Sequence, residues 1–187
     1  YNMIRKTYEN HCSIHKKVSF YYMKILFLFI LVFLVSCSSV ETIKKETKIS
    51  SLIANADKYV GMHENNHRSS LKSLLGIDPT HTEWCAAFVN VILDSVDIPG
   101  SSEFHDHPLM ARSFLDWGNE VESPQRGDII IFPRDGSVWQ GHVGFYINSF
   151  TNQGIEYYTI LGGNQNDKVS YSYYRAKTAI SIRRWSK

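Results

Sequence analysis

The strongest constraint on this 187-residue chain is a change of hydrophobic period partway along it. Before Gly118, apolar residues recur at helical spacing; from Asp128 onward they fall into short runs closed by Gly, Pro or Asn. A helix puts residues three and four apart on one face and a strand alternates them, so the two halves belong to different element types. Ile53, Ala54, Ala56 and Val60 mark a short helix over 49–59 that stops at Gly61, and Leu71, Leu74 and Leu75 mark another, stopped by Gly76 and Pro79. The strongest helical pattern runs from Cys85 to Val96, with Ala86, Phe88, Val89, Ile92 and Leu93 in register, and ends at Pro99-Gly100. A further helical patch covers 108–117. Beyond it, 128–132, 142–150, 155–161 and 179–183 read as strands, and Thr151-Asn152-Gln153-Gly154 joins the middle two into a hairpin. Helices first and antiparallel strands after predict an α+β fold, not a parallel sheet.

The length suits one domain with a real core and little more. The formal charge of +2 hides an asymmetry. Arg5, Lys6, Lys16, Lys17 and Lys24 face only Glu9 in the first 37 residues, which leaves fifteen Lys and Arg against seventeen Asp and Glu, a balance of −2, for the rest. No basic patch of the kind that holds nucleic acid is present, and that class is excluded.

The front of the chain reads as an address. Met23-Lys24 precedes an apolar run over 25–35 and then Ser36-Cys37-Ser38-Ser39. A cation, a short apolar stretch and a small residue before a cut make a secretory signal, and the run falls short of the roughly 17–25 residues a membrane span needs. Leu34-Val35-Ser36-Cys37 resembles a bacterial lipobox, which implies cleavage before Cys37 and its lipidation. The expected organisation is an upstream extension over 1–22, a lipoprotein signal over 23–36, a lipidated Cys37 with a polar tether to residue 50, and the domain over 51–187. Export and a membrane anchor through the N-terminal lipid follow, facing the periplasm from the outer membrane in a Gram-negative host; an uncleaved signal anchor is the other reading.

Cys12, Cys37 and Cys85 are the three cysteines, too few and too odd for a disulfide framework. Cys85 opens the strongest helix, His142 opens a predicted strand, and Asn164 follows the next one. A lone Cys is ordinarily a small buried hydrophobe. A thiol at a helix start, an imidazole and an amide are instead the parts of a cysteine hydrolase: the thiol loses its proton, the ring takes it, and the amide holds the ring. If the hairpin turns near Asn152 or Gln153, His142 falls opposite residues 162–164, within about 4.5–5.5 Å across the strands, so Asn164 can reach the ring. A helix N-terminus beside a protonated imidazole is expected to lower the thiol pKa.

Five blocks, Trp84-Cys85-Ala86-Ala87-Phe88-Val89-Asn90, Ala111–Gly118, Arg126-Gly127-Asp128-Ile129, Gly141-His142-Val143-Gly144-Phe145-Tyr146 and Leu161-Gly162-Gly163-Asn164-Gln165, resemble in order a bacterial and phage family of papain-like cell-wall hydrolases akin to the CHAP and NlpC-type peptidases. The resemblance spans about 53–185. It implies a papain-like fold, with N-terminal helices and the Cys-bearing helix packed on an antiparallel sheet. It also implies cleavage of amide bonds in peptidoglycan peptides without a cofactor or metal. Carried over by position, Cys85 is the nucleophile, His142 the base and Asn164 the orienter. The acidic residue that CHAP enzymes often hold two positions before their Asn is replaced here by Gly162.

Other signals compete. His63-Glu64-Asn65-Asn66-His67 fits the H-E-x-x-H pattern of zinc peptidases, which needs both His on one helical face; here Gly61 precedes it and polar residues fill it. Glu64 is alternatively a cap or part of the cleft. Trp84, Trp139 and Gln165 are candidate substrate contacts, and Trp117 a core residue. His105-Asp106-His107 reads as a surface loop, and Arg126-Gly127-Asp128 as a turn before a buried strand. A non-catalytic, lipid-tethered peptidoglycan-binding anchor is the alternative from another class.

Overall fold

The computed structural model describes residues 41–134 and 136–185. The signal sequence, the lipidation site at Cys37 and the upstream extension lie outside the described residues. The chain divides into Tyr1–Glu46 and Thr47–Lys187. Of the first unit, 41–46 are helical and exposed. The second unit carries the candidate site; it starts slightly ahead of the expected boundary at 51.

Three helices lead the second unit: α1 over 47–57, α2 (Arg68–Leu75) and α3 (Cys85–Asp94). Leu52, Ile53 and Ala56 of α1 and Leu71 and Leu75 of α2 are buried, as their spacing requires. In α3, Cys85, Ala86, Ala87, Phe88, Val89, Ile92 and Leu93 are all buried, so this helix is enclosed on nearly every side rather than amphipathic. The patch at 108–117 is a 3-10 turn, Ala111–Asp116, not an α-helix. Its neighbours explain the change. Ser113 donates to Ser101 Oγ at 2.8 Å, and Trp117 Nε1 donates to the Pro99 carbonyl at 2.7 Å, so local tertiary bonds hold the tighter turn against the loop that follows α3.

Six strands follow: β1 (Asn119–Glu120), β2 (Ile129–Pro133), β3 (Gly141–Asn152), β4 (Ile155–Gly162), β5 (Ser170–Arg175) and β6 (Ser181–Arg184). They form one sheet in the order β1-β6-β2-β3-β4-β5, with every pairing antiparallel. This is the α+β architecture expected from the sequence. The β3–β4 hairpin turns at Gln153 and Gly154, both at positive φ, as a tight two-residue turn demands. Its register slips between Tyr146 and Asn148. Strands β1 and β5 are additions that no apolar alternation announces.

The sheet has two apolar faces. Ile129, Ile131, Val143, Phe145 and Leu161 join the helices in the main core, while Ile130, Phe132, Tyr146, Tyr158, Ile160 and Ile182 form a second cluster on the other face. Asp128 begins β2 as a 5 % exposed carboxylate, gripped by Arg184 at 2.9 and 2.7 Å and by the Gln125 N–H at 2.6 Å. Arg126-Gly127-Asp128 is therefore a structural turn that ties β2 to β6. Among the described residues no helix is long and apolar enough to cross a membrane.

Candidate active site

Cys85 is the first residue of α3. Trp84 supplies no side-chain cap and the first turn holds no acid, so the positive end of the helix is not offset by a cap from Trp84. Asn90, one turn inside, pins the following loop: it accepts from Ser101 N at 2.7 Å and donates to the Pro108 carbonyl at 3.1 Å. The thiol is free, 4 % exposed, and faces the backbone N–H groups of Ala86 and Val143. Val143 follows His142 in β3, so the helix start and the histidine meet at one point of the sheet. Arg112 braces the approach to β3 by donating to the Gln140 carbonyl at 3.0 Å.

The imidazole is half-buried. Its Nε2 lies 3.2 Å from Gln165 Oε1. The amide is fixed in one orientation, because Gln165 Nε2 donates to the carbonyls of Gly162 (3.2 Å), Ile160 (3.4 Å) and Ser170. Only its oxygen can face the ring, so His142 Nε2 carries the hydrogen and Nδ1 keeps a lone pair. Tyr174 of β5 stacks on the imidazole, centroids 5.3 Å apart.

Asn164 does not hold the ring. Its side chain donates to Glu83 Oε2 at 2.7 Å, on the other side of the helix start. The reason is local. Strand β4 ends at Gly162, and Asn164 adopts φ 56°, a left-handed conformation that Asn tolerates, so the chain leaves the sheet before the amide can lie beside His142. Gln165, one residue later and one methylene longer, turns back into the sheet and is 4 % exposed. A Cβ on Gly162 would sit 3.5 Å from both His142 Nε2 and Gln165 Cδ. The space into which a side chain at 162 would project is therefore occupied by the Gln165 amide. Gly163 is needed for closeness: a Cβ there would come within 2.7 Å of the Trp84 and Phe88 side chains.

Electrostatics run opposite to the expectation from the helix terminus alone. Burial pushes the Cys85 thiol above its ordinary value, against the opposing pull of the Val143 and Ala86 N–H groups. Burial also lowers His142 to about 4, outweighing the hydrogen bond to Gln165. At neutral pH the resting pair is therefore a neutral thiol and a neutral imidazole. At the rim, Arg134 donates to Glu83 at 3.0 Å and holds that carboxyl below the usual range.

A polar cleft of about 820 Å³ opens here, lined by Glu83, Arg134, His142, Asn164, Gln165 and the β5 tyrosines among others. Trp84 does not line it: the ring is fully buried, and Nε1 donates to Glu64 Oε2 at 2.9 Å. The two residues thus brace the helix start. Trp139 is 60 % exposed on the β2–β3 loop, outside the described lining. His63 and His67 sit in a turn ahead of α2, where His67 Nδ1 accepts from His63 N at 3.1 Å and His63 Nδ1 from Asn65 N at 3.3 Å. Their segment packs on the loop after β4: Glu64 N donates to the Asp167 carbonyl at 2.8 Å and Val169 N to Met62 at 3.0 Å. The His105 ring likewise accepts from His107 N, at 2.9 Å. Glu83, Arg134 and Tyr174 escaped sequence reasoning. Glu83 adjoins the Cys85 block and was within reach of it; the other two are brought in only by strand pairing.

A buried thiol at a helix start thus meets a strand beside an imidazole held by an amide. Residues 77–164 match the family model described as the CHAP domain, a family of cysteine peptidase/amidase cell-wall hydrolase domains. The matched stretch includes Cys85 and His142 and stops one residue short of Gln165. No curated protein matches the chain.

Proposed function

We propose that this protein hydrolyses amide bonds in the peptide part of peptidoglycan, as an endopeptidase or amidase. Cys85 is the nucleophile, His142 the base acting through Nδ1, and Gln165 the group that orients it. As a substrate carbonyl approaches, the neutral imidazole takes the thiol proton and the sulfur attacks. The N–H groups at the start of α3 stabilise the oxyanion. The imidazolium then protonates the leaving amine, and water, deprotonated by the same ring, releases the acyl group from sulfur. The observation that carries this reading is the His142–Gln165 bond beside a thiol at a helix start, with Cys85 and His142 inside the stretch that matches the CHAP model.

The sign of the pH dependence follows. A base works only when unprotonated, so activity persists through mildly acidic pH and fails as pH falls through about 4, where His142 gains its proton. In the same proposal Cys37 bears lipid and the domain works close to a membrane. The support is the residue 23–37 pattern, and membrane-fraction mass spectrometry tests it: an unmodified Cys37 in the mature protein contradicts the tether. Thiol alkylation tests the enzyme against the wall anchor. The enzyme loses lysis and keeps wall binding, whereas lysis that survives complete alkylation of Cys85 contradicts the mechanism.

A further inference from the structure

We propose that Tyr174 is a positioning residue that fixes the His142 imidazole in its Nε2–H tautomer, the ring setting its plane and the hydroxyl setting the amide it answers to. This rests on the reading of His142 as base but concerns a residue outside the Cys–His–amide set and beyond the matched stretch.

Two kinds of contact carry it. The phenol ring lies within 15° of parallel to the imidazole, centroids 5.3 Å apart, and within 22° of Phe132, centroids 4.4 Å apart. Phe132 is the residue paired with His142 across β2 and β3, so the imidazole is held against an aromatic layer from two strands. Separately, Tyr174 Oη donates to Gln165 Oε1 at 3.1 Å, the same oxygen that faces His142 Nε2 at 3.2 Å. Gln165 Nε2 is engaged by carbonyls, so the amide cannot flip. An imidazole offering a bare Nε2 would set lone pair against lone pair; the Nε2–H form alone fits. Nδ1 is then left free for the thiol proton. Burial raises the phenol to about 12, so it remains a donor throughout the working range. The other ionisable groups facing this ring are Glu83 ahead of α3, Arg134 after β2, and Cys85, whose thiolate, once formed, acts on Tyr174.

The test is nitrogen-15 histidine NMR on the full chain, with the His142 signals assigned by their loss in His142→Gln. Tyr174→Leu keeps apolar bulk and removes ring and hydroxyl; Tyr174→Phe removes the hydroxyl alone. The wild type is expected to show the Nε2–H tautomer with a midpoint near 4. Tyr174→Leu is expected to mix tautomers and move the midpoint toward 6.5 as water reaches the ring. Tyr174→Phe keeps the low midpoint, and its kcat falls by about 2–10-fold at unchanged KM, the size of one lost hydrogen bond. A folded Tyr174→Leu with the wild-type tautomer and midpoint overturns the proposal. A correct tautomer in a wild type that cleaves no peptidoglycan counts against the proposed activity and leaves the role of Tyr174 standing.

Discussion

Asn164 and Gln165 are neighbours in the chain with the same carboxamide, and the fold uses them in opposite ways. Gln165 is enclosed: its nitrogen is spent on three carbonyls and its oxygen on His142 and Tyr174. Asn164 stands at the open rim, its amide on a Glu83 carboxylate that already holds Arg134. Side-chain chemistry does not separate them; the point where β4 ends does. The lesson is that an orienting group needs confinement as well as reach, because only an amide with its donors committed can present a fixed acceptor.

The comparison is most exposed to Gln165→Ala. Removing this amide frees the imidazole to rotate and to change tautomer, and a fall in kcat on the order of 100-fold is expected from misplacement of a catalytic group. The variant also orphans buried carbonyls, so thermal unfolding should show a loss of about 1–3 kcal/mol. Activity within a few-fold of wild type would mean that the enclosed amide has no orienting task.

The next effect concerns His142 and stability. Its folded-state value of about 4 lies below the ordinary 6.5, so the unfolded chain binds this proton first as pH falls. The linked stability is fully present above 6.5 and is lost progressively down to about 4. Denaturant titrations across that window should show a smaller decline for His142→Gln than for wild type. Equal declines would place the acid sensitivity elsewhere. The smallest effect belongs to Asn164→Gly, which keeps the left-handed backbone and deletes the amide. The bond lost is at the rim, where solvent replaces it, and kcat should stay within about three-fold of wild type. A loss matching that of Gln165→Ala would erase the distinction between the two amides.

Much of this architecture is visible in the residues. The enclosed helix from Cys85, the buried run Ile129–Phe132 and the tight turn at Gln153-Gly154 each carry a local signal strong enough to survive folding. The α+β fold follows from them, whereas the packing of the Cys85 helix on the sheet is what the family resemblance implies. Strand β5 does not announce itself: in Ser170-Tyr171-Ser172-Tyr173-Tyr174-Arg175 the exposed tyrosines and half-buried serines blur the apolar alternation that marks a half-buried strand. Tyr174 is hidden with it. A turn near Asn152 or Gln153 puts His142 opposite residues 162–164, and the observed Tyr146–Ile160 pairing extrapolates to the same place. What spacing could not contain was the departure of the chain at Asn164, set by Gly163 packed against Trp84 and by a left-handed backbone. The pKa directions were hidden for a similar reason: helix polarity is legible in sequence, whereas burial of the thiol is a property of the finished core.

Mass spectrometry of the fragments released from purified peptidoglycan, by wild type and by Cys85→Ala at matched folding, is the most direct test. The account predicts new peptide ends from amide cleavage with the wild type and none above background with Cys85→Ala. Equal release of the same fragments by both proteins would contradict it.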